Sequence, residues 1–156
     1  MGAIFRWIRE LWLGIKKLGQ TTERATALPA TGNLFTVSGG RIMVTQLIGE
    51  LTAACDANPT ATRIVATPTA GTPRNMCAAL DIASYAIGDL LGITGINTDA
   101  MIPPVTGGAV EGQTMGVIVK PGVINMIVAA AGQVTGRVRW TLKWVPVDDG
   151  AAVVAA

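Results

Sequence analysis

At 156 residues the chain is long enough for one domain with a single filled core and a short appendage. Half of it is apolar, yet only 14% is charged, against roughly 25% in typical domains, which leaves a neutral surface rich in Gly, Ala and Thr. There is no histidine, so Ser–His–Asp and Cys–His nucleophile pairs, His-based metal sites and the commonest general base are excluded.

The net charge of +2 is unevenly spread: residues 1–24 carry Arg6, Arg9, Lys16, Lys17 and Arg24 against Glu10 and Glu23, a balance of +3, so the remainder sums to −1. The body is therefore not a basic nucleic-acid surface. Within an N-terminal unit of residues 1–19, the run 3–18 predicts an amphipathic helix. Ile4, Trp7, Ile8, Leu11, Ile15 and Leu18 follow the 3–4 spacing of one stripe, widened by Phe5 and Trp12, with Arg6, Arg9, Glu10 and Lys17 opposite. Gly19 is a natural stop. A helix this short is marginal in water by itself. It needs its own domain, a groove on a partner or sister subunit, or a membrane surface to lie on. Phe5, Trp7, Ile8, Leu11, Trp12 and Ile15 are the candidate partner-binding residues. Arg6, Arg9 and Glu10 interrupt the apolar core a secretory signal needs, and Arg6 stands where a myristoylation signal needs Ser or Thr. No apolar run reaches the roughly 18 residues of a membrane span.

Residues 20–33 are small and polar, with Pro29, Gly32 and Asn33, and predict a tether. Residues 34–156 then read as a β-domain. Leu34–Val37 runs through a Ser38-Gly39-Gly40 turn into Arg41–Ala54, where strict alternation puts Met43, Thr45, Leu47, Gly49 and Leu51 on one face. Thr62–Thr67 is a β-branched strand closed by Pro68 and Gly71. Asn75–Ile82 and Leu90–Thr94 predict strands around a bent link, with a helix over 83–91 as the alternative. The Gly-, Pro- and Asn-rich stretch 95–114 predicts an exposed excursion suited to partner contact. Met115–Val119 and Val123–Ala130 predict a hairpin turning at Pro121-Gly122, and the small, apolar tail 151–156 predicts an end that frays or packs on a neighbour.

The clearest strand is near the C-terminus. Val138, Trp140, Leu142 and Trp144 alternate with Arg139, Thr141 and Lys143, giving one apolar and one polar face. Trp140 and Trp144 are the predicted core anchors. Arg137, Arg139 and Lys143 make a basic stripe with no aromatic on the same face, so base stacking is not signalled and a solvated or ion-paired face is expected. Pro146 and Asp148-Asp149-Gly150 end the strand in a turn. Short strands at regular spacing predict an antiparallel β-sandwich or jelly-roll-like barrel, carrying the N-terminal helix on its tether.

Little remains to support catalysis. Cys55 and Cys77 lie in apolar stretches and read as buried free thiols, and Asp81 and Asp89 form a carboxylate pair only if the fold joins them. No phosphate loop, metal motif or cofactor motif is present.

The segments GGRIMVTQLIGELT (39–52), CAALDI (77–82), LLGITG (90–95), VKPGVINMIVAA (119–130) and GRVRWTLKWVPVDDGAAV (136–153) resemble small β-rich virion structural proteins of tailed bacteriophages, of the head decoration or cement kind. The resemblance covers roughly residues 34–156 and rests on strand and turn patterns. It implies a non-enzymatic protein without cofactors, seated on the capsid surface of the virion. It further implies that the chain binds the major capsid protein and copies of itself, often as a trimer. A tail or head–tail connector component, and a membrane-surface protein using the basic helix, remain the alternatives.

Overall fold

The computed structural model describes residues 19–27, 30–102, 109–129 and 133–156. The predicted helix over 3–18, with its six candidate partner-binding residues, lies outside the described residues. Among those described, the chain is mainly β, with no helix. The strands are β1 (Gln20–Ala27), β2 (Gly32–Ser38), β3 (Ile42–Ala53), β4 (Ala61–Pro68), β5 (Arg74–Asn75), β6 (Leu80–Asp81), β7 (Leu90–Gly92), β8 (Val117–Val119), β9 (Gly122–Ala129), β10 (Arg137–Pro146) and β11 (Ala152–Ala155).

They form two antiparallel sheets. The first has the order β1-β10-β3-β7, with β8 also paired to β3. The second has the order β11-β2-β9-β4-β5, with β6 also paired to β4. The chain crosses repeatedly between them: β1 to β2, β2 to β3, β3 to β4, β6 to β7, β8 to β9, β9 to β10 and β10 to β11 all change sheet. One core lies between, with Phe35, Ile64, Ile124 and Met126 from the second sheet and Ile42, Leu47, Leu51, Trp140, Leu142 and Trp144 from the first.

The alternation in β10 carries directly into three dimensions. Val138, Trp140, Leu142 and Trp144 are buried, while Arg137, Arg139 and Lys143 are exposed. Trp144 Nε1 donates to Thr22 Oγ1 at 3.1 Å, tying β10 to β1. Trp140 packs closely on Gly49 of β3. A Cβ there would stand 2.9 Å from Cζ3 and 3.0 Å from Cη2 of the indole, so only glycine admits the ring.

Several expectations from strict periodicity are corrected. In β3 the buried set is Ile42 and Val44, then Leu47, Gly49 and Leu51, rather than the unbroken odd-numbered series. The cause is a bulge: Lys143 pairs with Gln46 and Trp144 with Val44, so Thr45 is the extra residue and the faces exchange there. Residues 20–27 are not a tether but a strand paired to β10. Their polar composition is that of an edge strand with one face to water, which looks like a loop in sequence. The Lys120-Pro121-Gly122 turn does not close a hairpin, because β8 pairs with β3 and β9 with β2 and β4. Instead it carries the chain between sheets. Gly122, at φ +150°, is pressed so close to β4 that a Cβ would meet the Thr67 carbonyl oxygen at 2.3 Å. The tail does not fray but pairs with β2 as β11. Between residues 75 and 82 the expected strand is reduced to the two-residue pieces β5 and β6, and the alternative helix over 83–91 is replaced by turns and β7.

Substituting Gly49→Val forces the Trp140 ring or the backbone of β3 to move and is expected to cost about 1–3 kcal/mol. The fall should appear as a lower urea midpoint with unchanged slope. Thr45→Ala, at the exposed bulge, should shift stability by less than about 0.5 kcal/mol.

Candidate interaction surface

Several carboxylates of the body are occupied in holding loops. Asp56 accepts from the backbone N–H groups of Asn58 (2.9 Å), Val134 (2.7 Å) and Thr135 (3.1 Å), joining the β3–β4 and β9–β10 connections. These bonds, that of Asn58 foremost, hold its carboxyl below the usual range. Asp81 accepts from Thr60 N (2.8 Å) and Ala83 N (3.0 Å), which likewise lowers its pKa. Asp89 accepts from Ala86 N at 2.8 Å. Asp81 and Asp89 both act on Tyr85, whose phenol pKa is raised first by burial and then by these two charges. Each carboxylate is nonetheless committed to the backbone of its own turn, so the possible acid–base pair is not assembled.

Asp148 is held by a single residue through three bonds. It accepts from Arg41 N at 2.8 Å, from Arg41 Nε at 2.8 Å and, on its other oxygen, from Arg41 Nη2 at 2.7 Å. The β2–β3 and β10–β11 crossings are thereby clamped side by side, with Val147 N donating to Arg41 O at 2.9 Å. The guanidinium pulls the Asp148 carboxyl down to about 2. On the outer face of the first sheet Arg139 is ion-paired with Glu50 directly across from it on β3, and Arg137 Nη1 donates to the Gly136 carbonyl at 2.7 Å. The basic stripe is thus partly neutralised within the sheet.

The cysteines are buried and unpaired. Burial, reinforced by Asp56 and Asp89, pushes the Cys55 thiol up to about 11. Burial also raises Cys77, whose sulfur accepts from Ile64 N at 3.3 Å. Both are thiols rather than thiolates at neutral pH, the wrong form for a nucleophile. Among the described residues no group of three or more His, Cys, Asp or Glu side chains could hold a metal ion, and no helix is long and apolar enough to cross a membrane.

What the described surface does offer is a groove along one flank. There β8 of the first sheet and β5 of the second stand as edges without a strand beyond them among the described residues. The space between them is a groove of about 380 Å³, bounded by Arg74, Asn75, Ile96, Asn97, Met115 and Ile118 among others. A smaller hollow of about 190 Å³ adjoins it and adds Pro68, Thr72 and Lys120 to the lining. Ile118 is 61% exposed, Met115 56% and Ile96 38%, so apolar side chains stand in water at the rim. No carboxylate lines either hollow, and neither Arg74 nor Lys120 has an ion pair among the described residues.

The excursion over 95–114 contributes Ile96 and Asn97 to this groove, but it is less free than its composition predicts. Met101 is buried in the core, its N–H donates to Ala78 O at 3.3 Å, and Ile102 is bridged to Gly92. Trp140 and Trp144 lie inside the core, away from the groove lining. Sequence reasoning missed Arg74 and Ile118. The available signal was Val117-Ile118-Val119, apolar on both faces where a half-solvated strand should alternate.

Comparison with family models, with curated proteins and with solved structures finds no match to this chain.

The Arg41–Asp148 clamp gives the fold an acid-sensitive component. Its folded carboxyl titrates below its unfolded value, so the contribution is complete at neutral pH and is lost as the pH falls from about 4 towards 2. Thermal unfolding followed between pH 6 and pH 2 should show a declining midpoint, and Asp148→Asn should lower the neutral midpoint while flattening that decline.

Proposed function

We propose that this chain is a structural subunit of a tailed-bacteriophage particle, of the capsid decoration or cement type, with no catalytic role. Its partners in this reading are the major capsid protein and further copies of itself on the virion surface. The body is a sandwich or jelly roll to which residues 1–19 are appended as an amphipathic helix. The observation that carries the reading is the groove between β5 and β8, where Ile96, Met115 and Ile118 are exposed beside two cations that have no ion pair among the described residues. Exposed apolar side chains gathered beside charged ones are the pattern of a protein contact. A partner offering an apolar side chain and a carboxylate would cover the isoleucines and neutralise Arg74 and Lys120 together. The resemblance of residues 34–156 to virion proteins supplies the particle, and the use of Asp56, Asp81 and Asp148 as loop staples suits a rigid body with a binding face.

Cosedimentation with expanded empty capsids tests this. The wild-type chain should pellet with the capsids, and Arg74→Glu combined with Ile96→Asp should bind at least about tenfold more weakly, as loss of an interface anchor predicts. The unfolding midpoint of that variant should stay near wild type. Copy number in purified virions separates the locations: hundreds per particle place the chain on the shell, and on the order of a dozen or fewer place it at the tail or connector. Failure of the wild-type chain to bind capsids overturns the proposal.

A further inference from the structure

A second apolar feature crosses the outer face of the first sheet. Val145 of β10 pairs with Met43 of β3, and Met43 pairs with Ile118 of β8. The neighbours of these residues along each strand, Trp144, Val44 and Val119, point into the core and are buried, so Val145, Met43 and Ile118 share the opposite face. Other rows of this face are polar or mixed: Thr21–Lys143–Gln46, Glu23–Thr141–Ile48 and the ion pair Arg139–Glu50. The apolar row sits at one end of the sheet.

That end is where the N-terminal segment enters. Gly19 immediately precedes β1, and a Cβ placed on it would lie 3.7 Å from Cγ1 of Val145. The next row along, Gln20–Trp144–Val44–Val117, runs from the first residue of β1 across three strand spacings to β8. With strands about 4.8 Å apart, Ile118 is about 14 Å from the exit point. The eighteen residues before Gly19 span about 27 Å as a helix. They are long enough to cover the row, and they begin beside its first member.

We infer that residues 1–18 fold back onto the Val145–Met43–Ile118 row of their own chain. The stripe of Trp7, Leu11 and Ile15 faces the sheet, and Arg6, Arg9 and Lys17 face water. The amphipathic pattern supplies one apolar face for one apolar row. Attachment at Gly19 makes the contact intramolecular, so it forms at the high effective concentration of a linked site. Ile118 then serves two surfaces, its outer side beneath the segment and its rim on the β5–β8 groove, and the groove stays open to a partner. The inference holds whether or not the chain belongs to a particle.

Limited trypsin digestion of the full chain reads it through cleavage after Lys16 and Lys17. In the wild type these bonds should be protected, at a rate that does not change on dilution. Ile118→Glu and Leu11→Glu should each speed cleavage about tenfold, since proteolysis follows the population of the open form. The double variant should be no faster than the faster single one, because both break the same contact. Unchanged unfolding midpoints would show that the body stays intact. Wild-type cleavage as fast as in the variants overturns the inference. So does protection that disappears on dilution, which assigns the row to a second copy, and so does protection that arises only with anionic phosphatidylglycerol vesicles, which assigns the segment to a membrane.

Discussion

The ladder between β10 and β3 is the constraint on which the rest depends. It runs from Arg137 opposite Ala53 to Pro146 opposite Ile42 and is the longest pairing among the described residues. Every other strand of the first sheet attaches to one of these two: β1 to β10, and β7 and β8 to β3. Its inner face carries Trp140 on Gly49 and Trp144 beside Val44, so the two largest side chains of the core sit on the same ladder that organises the sheet. Two bulges, at Thr45 and Thr52, let that ladder twist while keeping apolar residues inward on both sides. The second sheet is held over it by short crossings rather than by long loops. The Arg41–Asp148 clamp and the glycine contact at Gly122 fix three of those crossings.

Much of this was legible in the sequence where one face of a strand meets water. The alternation of β10 gave its buried set without error, because charged and aromatic residues alternate with no insertion. β3 was misread at the point where a bulge changes the phase, since Thr45 looks in sequence like any other alternating residue. β1 was missed because an edge strand with a solvated face can be built from Gln, Thr, Glu and Arg. The Pro121-Gly122 turn was recognised as a turn but not as a crossing. A turn motif fixes the local backbone and leaves open which sheet the next strand joins.

The interaction surface was hidden for a related reason. Arg74 and Ile118 lie far apart in sequence and meet only because β5 and β8 end as edges on the same flank of the two sheets. Neither residue belongs to a motif. The acidic residues show the converse: Asp81 and Asp89 drew notice as titratable groups in apolar surroundings, and the backbone N–H groups of their own turns account for them. In a chain without histidine, carboxylates used as loop staples leave little chemistry over, and the distinctive parts of the surface are apolar.

The alternation of the chain between sheets also bears on its synthesis. β10 lies between β1 and β3, yet it is made more than a hundred residues after β1 begins at Gln20. Until Pro146 has left the ribosome, β1 has no neighbour and the long apolar β3 lacks its main partner. The second sheet waits longer still for β11 to close on β2. Non-local pairings of this kind make folding slow and leave unpaired edges exposed meanwhile. The nascent chain must therefore emerge past Pro146 before the first sheet can close and past Ala155 before the second can, so loss of β10 would remove a keystone of the first sheet.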